Sequence, residues 1–247
     1  MANIFRTSNP ALDEKAFRSV TTIGEAMTLQ GTVNKTGLLL LCVVGTAAWT
    51  WGLAHSPTPE AVYPWMMGGL IGGFAVALAT LFKTTWAPIT APLYALLEGL
   101  VLGGISAIFE RSYPGIAVQA VGLTFGTLAV MLMAYKTGVI RATEKFKVGV
   151  IAATGGIALF YLVTMALQLF HVNVGILYNS TPLGIAFSVF VVIIAALNLV
   201  LDFDMIETGV RMGAAKYMEW YGAFGLMVTL IWLYLEILRL LAKSRRR

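Results

Sequence analysis

The 247-residue chain is 58% hydrophobic and only 12% charged, with a formal net charge of +5. Soluble domains average about 25% charged and 45–50% apolar residues. A soluble fold of this length could not bury so much apolar surface, and the single cysteine, Cys42, excludes a disulfide scaffold. Composition therefore predicts an integral membrane protein embedded in a lipid bilayer, and no nucleic acid is expected as a partner.

The chain opens with a polar stretch, residues 1–35, which lacks the apolar core of a cleavable signal peptide and is predicted to be a tail. Seven apolar segments follow, each near the roughly 20 residues that a helix needs to cross a bilayer. Within a few residues they are 36–55, 63–82, 88–109, 114–135, 148–170, 182–203 and 221–242. The prediction is an all-α seven-transmembrane-helix bundle over residues 36–242, followed by a basic tail at 243–247.

Basic residues are distributed unevenly between the connections. The N-terminal tail and the second, fourth and sixth connections hold 11 Lys and Arg residues, whereas the alternate connections hold only Arg111. Because Lys and Arg accumulate in cytoplasmic loops, the N-terminus is predicted to be cytoplasmic. The basic C-terminus breaks this pattern. Either the last segment crosses against the rule, or it does not fully cross.

Small residues recur at a spacing that favours close helix packing, within one bundle or at a dimer face. We expect packing within the bundle. The Gly-x-x-x-Gly pairs are Gly68–Gly72 and Gly69–Gly73 in the second segment, and Gly99–Gly103 in the third.

Four acidic side chains fall within or at the ends of apolar segments, where charge is costly and a functional role is the first hypothesis. They are Glu98, Asp202, Asp204 and Glu236. Glu98 lies near the middle of the third segment, too deep to reach water, and is interpreted as lining an ion pathway. The alternative is a protonated Glu98 hydrogen-bonded to a neighbouring helix, such as the one that carries Gln119.

The other three acids lie on the last two segments. Asp202 and Asp204 are two residues apart at the end of the sixth segment, so on a helix they point in different directions. One of them can face the bundle axis, and the other can reach water or pair with Arg211. Glu236 precedes Arg239 by three residues, so these two side chains can pair along one helix face.

Five short elements are spread over nearly the whole chain. They are Asn9-Pro10, residues 27–36, Leu97-Glu98-Gly99, Leu201-Asp202-Phe203-Asp204 and Tyr234-Leu235-Glu236. As a set they resemble the transmembrane Bax inhibitor motif (Bax inhibitor-1) family, in its bacterial YccA-like branch. The resemblance implies a seven-helix fold with a central last helix, in a multi-pass protein of the bacterial cytoplasmic (inner) membrane.

The resemblance also implies a proton-sensitive calcium leak and an acidic pair on the sixth and seventh helices. Asp202 fits the first position, because Ile206 follows four residues later, and Glu236 fits the second, because it follows Tyr234-Leu235. Asp204 is then an additional acid. The pair Asp202–Glu236 is the candidate calcium site, and calcium and protons are the expected small partners, with no cofactor.

Two carboxylates in a medium of low dielectric constant cannot both ionise cheaply, so their titration belongs to the pair. One shared proton would hold the sixth and seventh helices together, and its loss would leave hard oxygen ligands suited to calcium. We therefore predict a pH-sensitive calcium leak channel or transporter. Protonation of Asp202, Glu236 and Asp204 would gate it, and Glu98 would line the pathway.

A different class of function stays open. The resemblance also suggests a regulator that binds a membrane-embedded quality-control protease, with the N-terminal tail as the contact. An enzyme is not expected, because the chain contains no Gly-x-Gly-Asp element, no His-Glu-x-x-His element and no phosphate-binding glycine loop.

Overall fold

The computed structural model describes residues 25–170 and 181–246. Within these ranges the chain forms seven helices that are long and apolar enough to cross a membrane, which confirms the predicted all-α seven-helix bundle. Short 3-10 turns at Pro59–Ala61 and Thr84–Trp86 lead into the second and third helices. The helices are α1 (Leu29–Ala54), α2 (Val62–Phe82), α3 (Ala87–Ser112), α4 (Ile116–Lys136), α5 (Glu144–Leu169), α6 (Pro182–Arg211) and α7 (Met218–Arg245).

The first helix begins at Leu29 rather than at residue 36, so part of the predicted tail is helical. Thr28 is the N-cap, and its hydroxyl accepts a hydrogen bond from the Gly31 amide at 3.0 Å. This cap satisfies one of the amides that a helix start leaves unpaired, which lets the helix begin in a polar sequence. Of the predicted tail, residues 1–24 lie outside the described residues.

Both of the last two helices extend beyond the predicted apolar segments. The sixth continues from residue 203 to Arg211, and the seventh begins at Met218 rather than near residue 221. Hydropathy locates the part of a helix that is apolar, whereas hydrogen bonding continues into its polar ends. Asp202 therefore lies more than two turns inside α6 instead of at its end.

The last helix is central, as predicted. In its most apolar 18-residue stretch 61% of the residues are buried, the highest share among the seven helices. It packs against α1, α3, α4 and α6, and its buried side chains include Met227, Leu233 and Leu238.

The Gly-x-x-x-Gly pattern of α3 serves contact within the bundle, as predicted. A Cβ on Gly99 would overlap the carbonyl oxygen of Val43, and one on Gly103 would overlap that of Ala47. The lack of side chains at these two positions lets the backbones of α1 and α3 approach closely and gain dispersion contacts.

The last helix runs the full length of the bundle. We call the end at which α1, α3, α5 and α7 begin the proximal end, and the other the distal end. At the proximal end, Glu219 accepts a hydrogen bond from the Thr28 amide at 2.8 Å. At the distal end, Arg245 donates to the Pro114 carbonyl at 2.8 Å and to Gln119 Oε1 at 2.9 Å. Of the two alternatives for the last segment, the structure therefore favours a full crossing.

Candidate functional site

Asp202 projects from α6 towards the central helix. Its carboxylate faces the hydroxyl of Thr229, and a Cβ placed on Gly225 would lie 3.8 Å from its Oδ1. The Oδ2 atom is buried and has no hydrogen-bond partner among the described residues. Buried polar atoms nearly always have a partner. An oxygen without one is therefore a candidate to bind a proton, a water molecule or a cation.

Asp204 faces α5, which confirms that the two aspartates face different directions. Its Oδ2 forms an ion pair with Nζ of Lys147 in α5 at 2.9 Å, and the Asp204 side chain is 18% exposed. Lys147 also pairs with Glu144 at 3.3 Å. The structure thus gives Asp204 a partner on α5, rather than Arg211 as one alternative proposed.

Glu236 lies deeper along α7 and is 2% exposed. Arg239 donates to its Oε1 at 2.9 Å, which confirms the pairing along one helix face. The hydroxyl of Tyr161 in α5 donates to the same oxygen at 2.8 Å, and Arg239 also contacts this hydroxyl at 3.0 Å. Glu236 is therefore held in a closed group of three side chains with its charge compensated.

The two members of the predicted acidic pair lie at different levels of the bundle. Thr229, which Asp202 faces, and Glu236 are seven residues apart and so share one face of α7. At 1.5 Å per residue they are separated by about 10 Å along the axis. Each carboxylate therefore has its own set of neighbours.

Glu98 is half-buried on the side of α3 that faces α2. Its Oε1 would lie 3.1 Å from a Cβ placed on Gly73, and its carboxylate is close to the Tyr94 hydroxyl one turn earlier. Tyr94 in turn packs edge-on against Phe224 of α7, with ring centroids 5.0 Å apart. Gln119, the alternative partner, instead accepts from Arg245.

A cavity of about 900 Å³, which we call the proximal cavity, opens at the proximal end between α1, α4, α6 and α7. Asp204 and Glu207 line it, as does Tyr135, whose hydroxyl donates to Glu207. Phe203 and Leu226 also line it, and these residues directly follow Asp202 and Gly225 in the chain. The cavity thus reaches the level of the Asp202 carboxylate, whose Oδ2 has no hydrogen-bond partner among the described residues.

The sequence analysis missed a fully buried carboxylate at the proximal end. Glu219 is 0% exposed and forms ion pairs with Lys35 and, at 3.3 Å, with Lys216. Hydrogen bonds from Lys216 to Glu25 and Glu219 raise the pKa of Lys216, which keeps it cationic. The sequence contained one signal for Glu219: an acidic residue in the first turn of a helix interacts favourably with the helix dipole. For Tyr161 no signal existed, because one aromatic residue in an apolar helix is unremarkable.

The described residues contain no ready-made metal centre. No group of three or more His, Cys, Asp and Glu side chains within residues 25–170 and 181–246 is close enough to hold a metal ion. The predicted contact with a membrane protease concerns the N-terminal tail, which up to residue 24 lies outside the described residues.

Seven long apolar helices around a central one, with carboxylates buried between them, define a multi-pass helical membrane protein. The family model for Bax inhibitor 1 like proteins matches residues 9–246. The chain therefore belongs to the Bax inhibitor 1 like family, which confirms the family that its motifs predicted, whereas the bacterial YccA-like branch stays a prediction. No curated protein and no solved structure matches the chain.

Proposed function

We propose that the protein is a proton-sensitive cation leak, with calcium as the ion carried, in a bacterial inner membrane with its N-terminus in the cytoplasm. Ionisation of Asp202 opens the passage between α6 and α7. The observation that carries this proposal is the buried Oδ2 of Asp202, which has no hydrogen-bond partner among the described residues. An acidic side chain in the membrane interior costs free energy, and one with an oxygen that lacks a hydrogen-bond partner is a functional candidate.

The protonated state closes the passage. A neutral Asp202 packs against Thr229 and Gly225, and the small glycine leaves the two helices close together. Neither of these α7 neighbours titrates. The nearest acid on α6, Asp204, is compensated by Lys147 of α5. The proton on Asp202 therefore controls the local charge.

The ionised state admits a cation from the proximal cavity. A carboxylate is a hard oxygen ligand, and calcium takes 6–8 oxygens, most of which waters would have to supply here. Such a sparse ligand set suits an ion in transit, which must be bound weakly enough to leave. Asp204 of α6 acts at the mouth of the passage, and Glu236 of α7, held by Tyr161 and Arg239, marks its deeper level.

Calcium influx into proteoliposomes that contain an entrapped indicator tests the proposal. Flux through the unmodified protein should rise with pH, by at most about tenfold per pH unit for control by one proton. Asp202→Asn mimics the protonated acid, so its flux should be low and independent of pH, whereas Asp202→Glu should retain the pH dependence. Glu60→Gln, an exposed acid at the distal end, is the control.

If Asp202→Asn conducts with the same pH profile as the unmodified protein, Asp202 does not gate the passage. The same assay is applied to Glu236→Gln and Glu98→Gln. It shows whether the deeper level of α7 or the α2–α3 side, rather than the level of Asp202, controls the flux.

A further inference from the structure

A second cavity of about 360 Å³ lies in the distal half, between α1, α3, α4 and α7, and we call it the distal cavity. Its lining is almost wholly apolar and includes Val44, Val121 and Phe125. These three side chains are 60%, 44% and 44% exposed, so the cavity opens sideways between α1 and α4. In a bilayer this opening faces the acyl chains of the lipids.

The few hydroxyls of the distal cavity already have partners within the protein. Ser106 Oγ and Tyr234 OH are 2.6 Å apart, and Thr124 donates to the carbonyl of Ala120 at 2.8 Å. A polar occupant would lose its hydrogen bonds to water and gain little in return. The distal cavity therefore suits a hydrocarbon chain better than water or an ion.

The distal and proximal cavities share one lining residue, which lies on α1. Leu40 lines both of them, whereas Leu29 lines the proximal cavity and Trp51 the distal one. The helix from Leu29 to Leu40 measures about 17 Å, and that from Leu40 to Trp51 measures about the same. Together they span roughly the 30 Å of a hydrocarbon core. One long molecule therefore has the length to reach from one cavity into the other.

The mouth of the proximal cavity carries an excess of basic side chains. Lys136, Arg141 and Arg211 line it, at the end of α4, in the following connection and at the end of α6. Of the two acids there, Asp204 is paired with Lys147 and Glu207 accepts from a tyrosine hydroxyl. Helix ends lie at the level of lipid head groups, and the sequence predicts this end to be cytoplasmic. Basic pockets between helices on that side bind anionic head groups.

We infer that the joined cavities are a binding site for an anionic phospholipid. The phosphate lies among Lys136, Arg141 and Arg211, and one acyl chain runs along the cleft between α1 and α4, past Leu40, into the distal cavity. This inference does not rest on the proposed cation leak. It needs only the apolar cleft and the basic mouth.

Native mass spectrometry of the purified full-length protein, titrated with phosphatidylglycerol or phosphatidylcholine of identical acyl chains, tests the inference. The unmodified protein should bind the anionic lipid more tightly. Each basic residue near the surface contributes about fivefold in affinity, so Lys136→Ala combined with Arg141→Ala should weaken phosphatidylglycerol binding about 30-fold. Lys145→Ala is the matched control, because this exposed lysine lies near Arg141 but does not line the cavity.

A second variant tests the apolar half. Ala48 lines the distal cavity and is exposed, so Ala48→Phe fills the cavity without entering the core. It should weaken both lipids alike and preserve the preference for the anionic one. Equal affinity for the two lipids in the unmodified protein overturns the inference. So does a loss with Lys145→Ala as large as with the double variant, or unchanged lipid binding in Ala48→Phe.

Discussion

Replacement of Glu219 by alanine should destabilise the protein more than any other removal of a charge at the proximal end. This carboxylate is 0% exposed and joins the start of α7 to the start of α1. Its Oε1 accepts from the amide and the hydroxyl of Thr28, each at 2.8 Å, and its Oε2 accepts from Lys35. A Cβ at Gly31 would overlap this carboxylate, so a larger residue there would displace the Glu219 side chain.

The expected magnitude follows from what Glu219→Ala leaves behind. Removal of one partner of a buried ion pair costs about 3–5 kcal/mol, because the other charge stays buried without compensation. The Lys35 side chain is 18% exposed and can turn partly towards water, so the lower value of about 3 kcal/mol applies. For a protein of this size, that loss corresponds to a fall in Tm of about 6–12 °C.

Thermal unfolding in detergent, followed by intrinsic tryptophan fluorescence, measures the effect. Glu25→Ala is the matched control, because Glu25 also pairs with Lys216, at 3.2 Å, but its side chain is 83% exposed. A surface pair contributes about 0–1 kcal/mol, so this variant should lose at most about 4 °C. If both variants lose the same few degrees, the carboxylate of Glu219 does not hold the two helices together, and burial was the wrong basis for the estimate.

Gly103→Ala should cost about 1–3 kcal/mol, because the added methyl group would overlap the carbonyl oxygen of Ala47, whereas Gly122→Ala, in open space on α4, should be neutral or stabilising. Equal Tm values for the two variants would contradict this packing. In a background without the native cysteine, Glu25→Cys and Ser244→Cys should react with a membrane-impermeant maleimide from opposite sides of the bilayer, because α7 runs the full length of the bundle. Labelling of both from one side would show that the last helix does not cross.

The class of protein and the number of helices could be read from the sequence because they depend on local properties. A run of about 20 apolar residues is driven into lipid whatever its neighbours are, and its backbone can satisfy its hydrogen bonds only as a helix. The small-residue spacing in α3 is similarly local, since Gly99 and Gly103 lie on one face by periodicity alone. The pairing of Glu236 with Arg239 also follows from spacing along a single helix.

The neighbours of each buried acid depended on the tertiary structure, because they come from helices far away in the chain. Only the packing of α5 brings Tyr161 to Glu236 and Lys147 to Asp204. Asp202 lies inside α6 rather than at its end because the helix continues beyond its apolar stretch, and hydropathy does not indicate this continuation. The hydrophobicity of each segment acts locally, so membrane insertion can be predicted from the sequence. The partner of a charged atom depends on how all the segments pack together, so only the tertiary structure determines it.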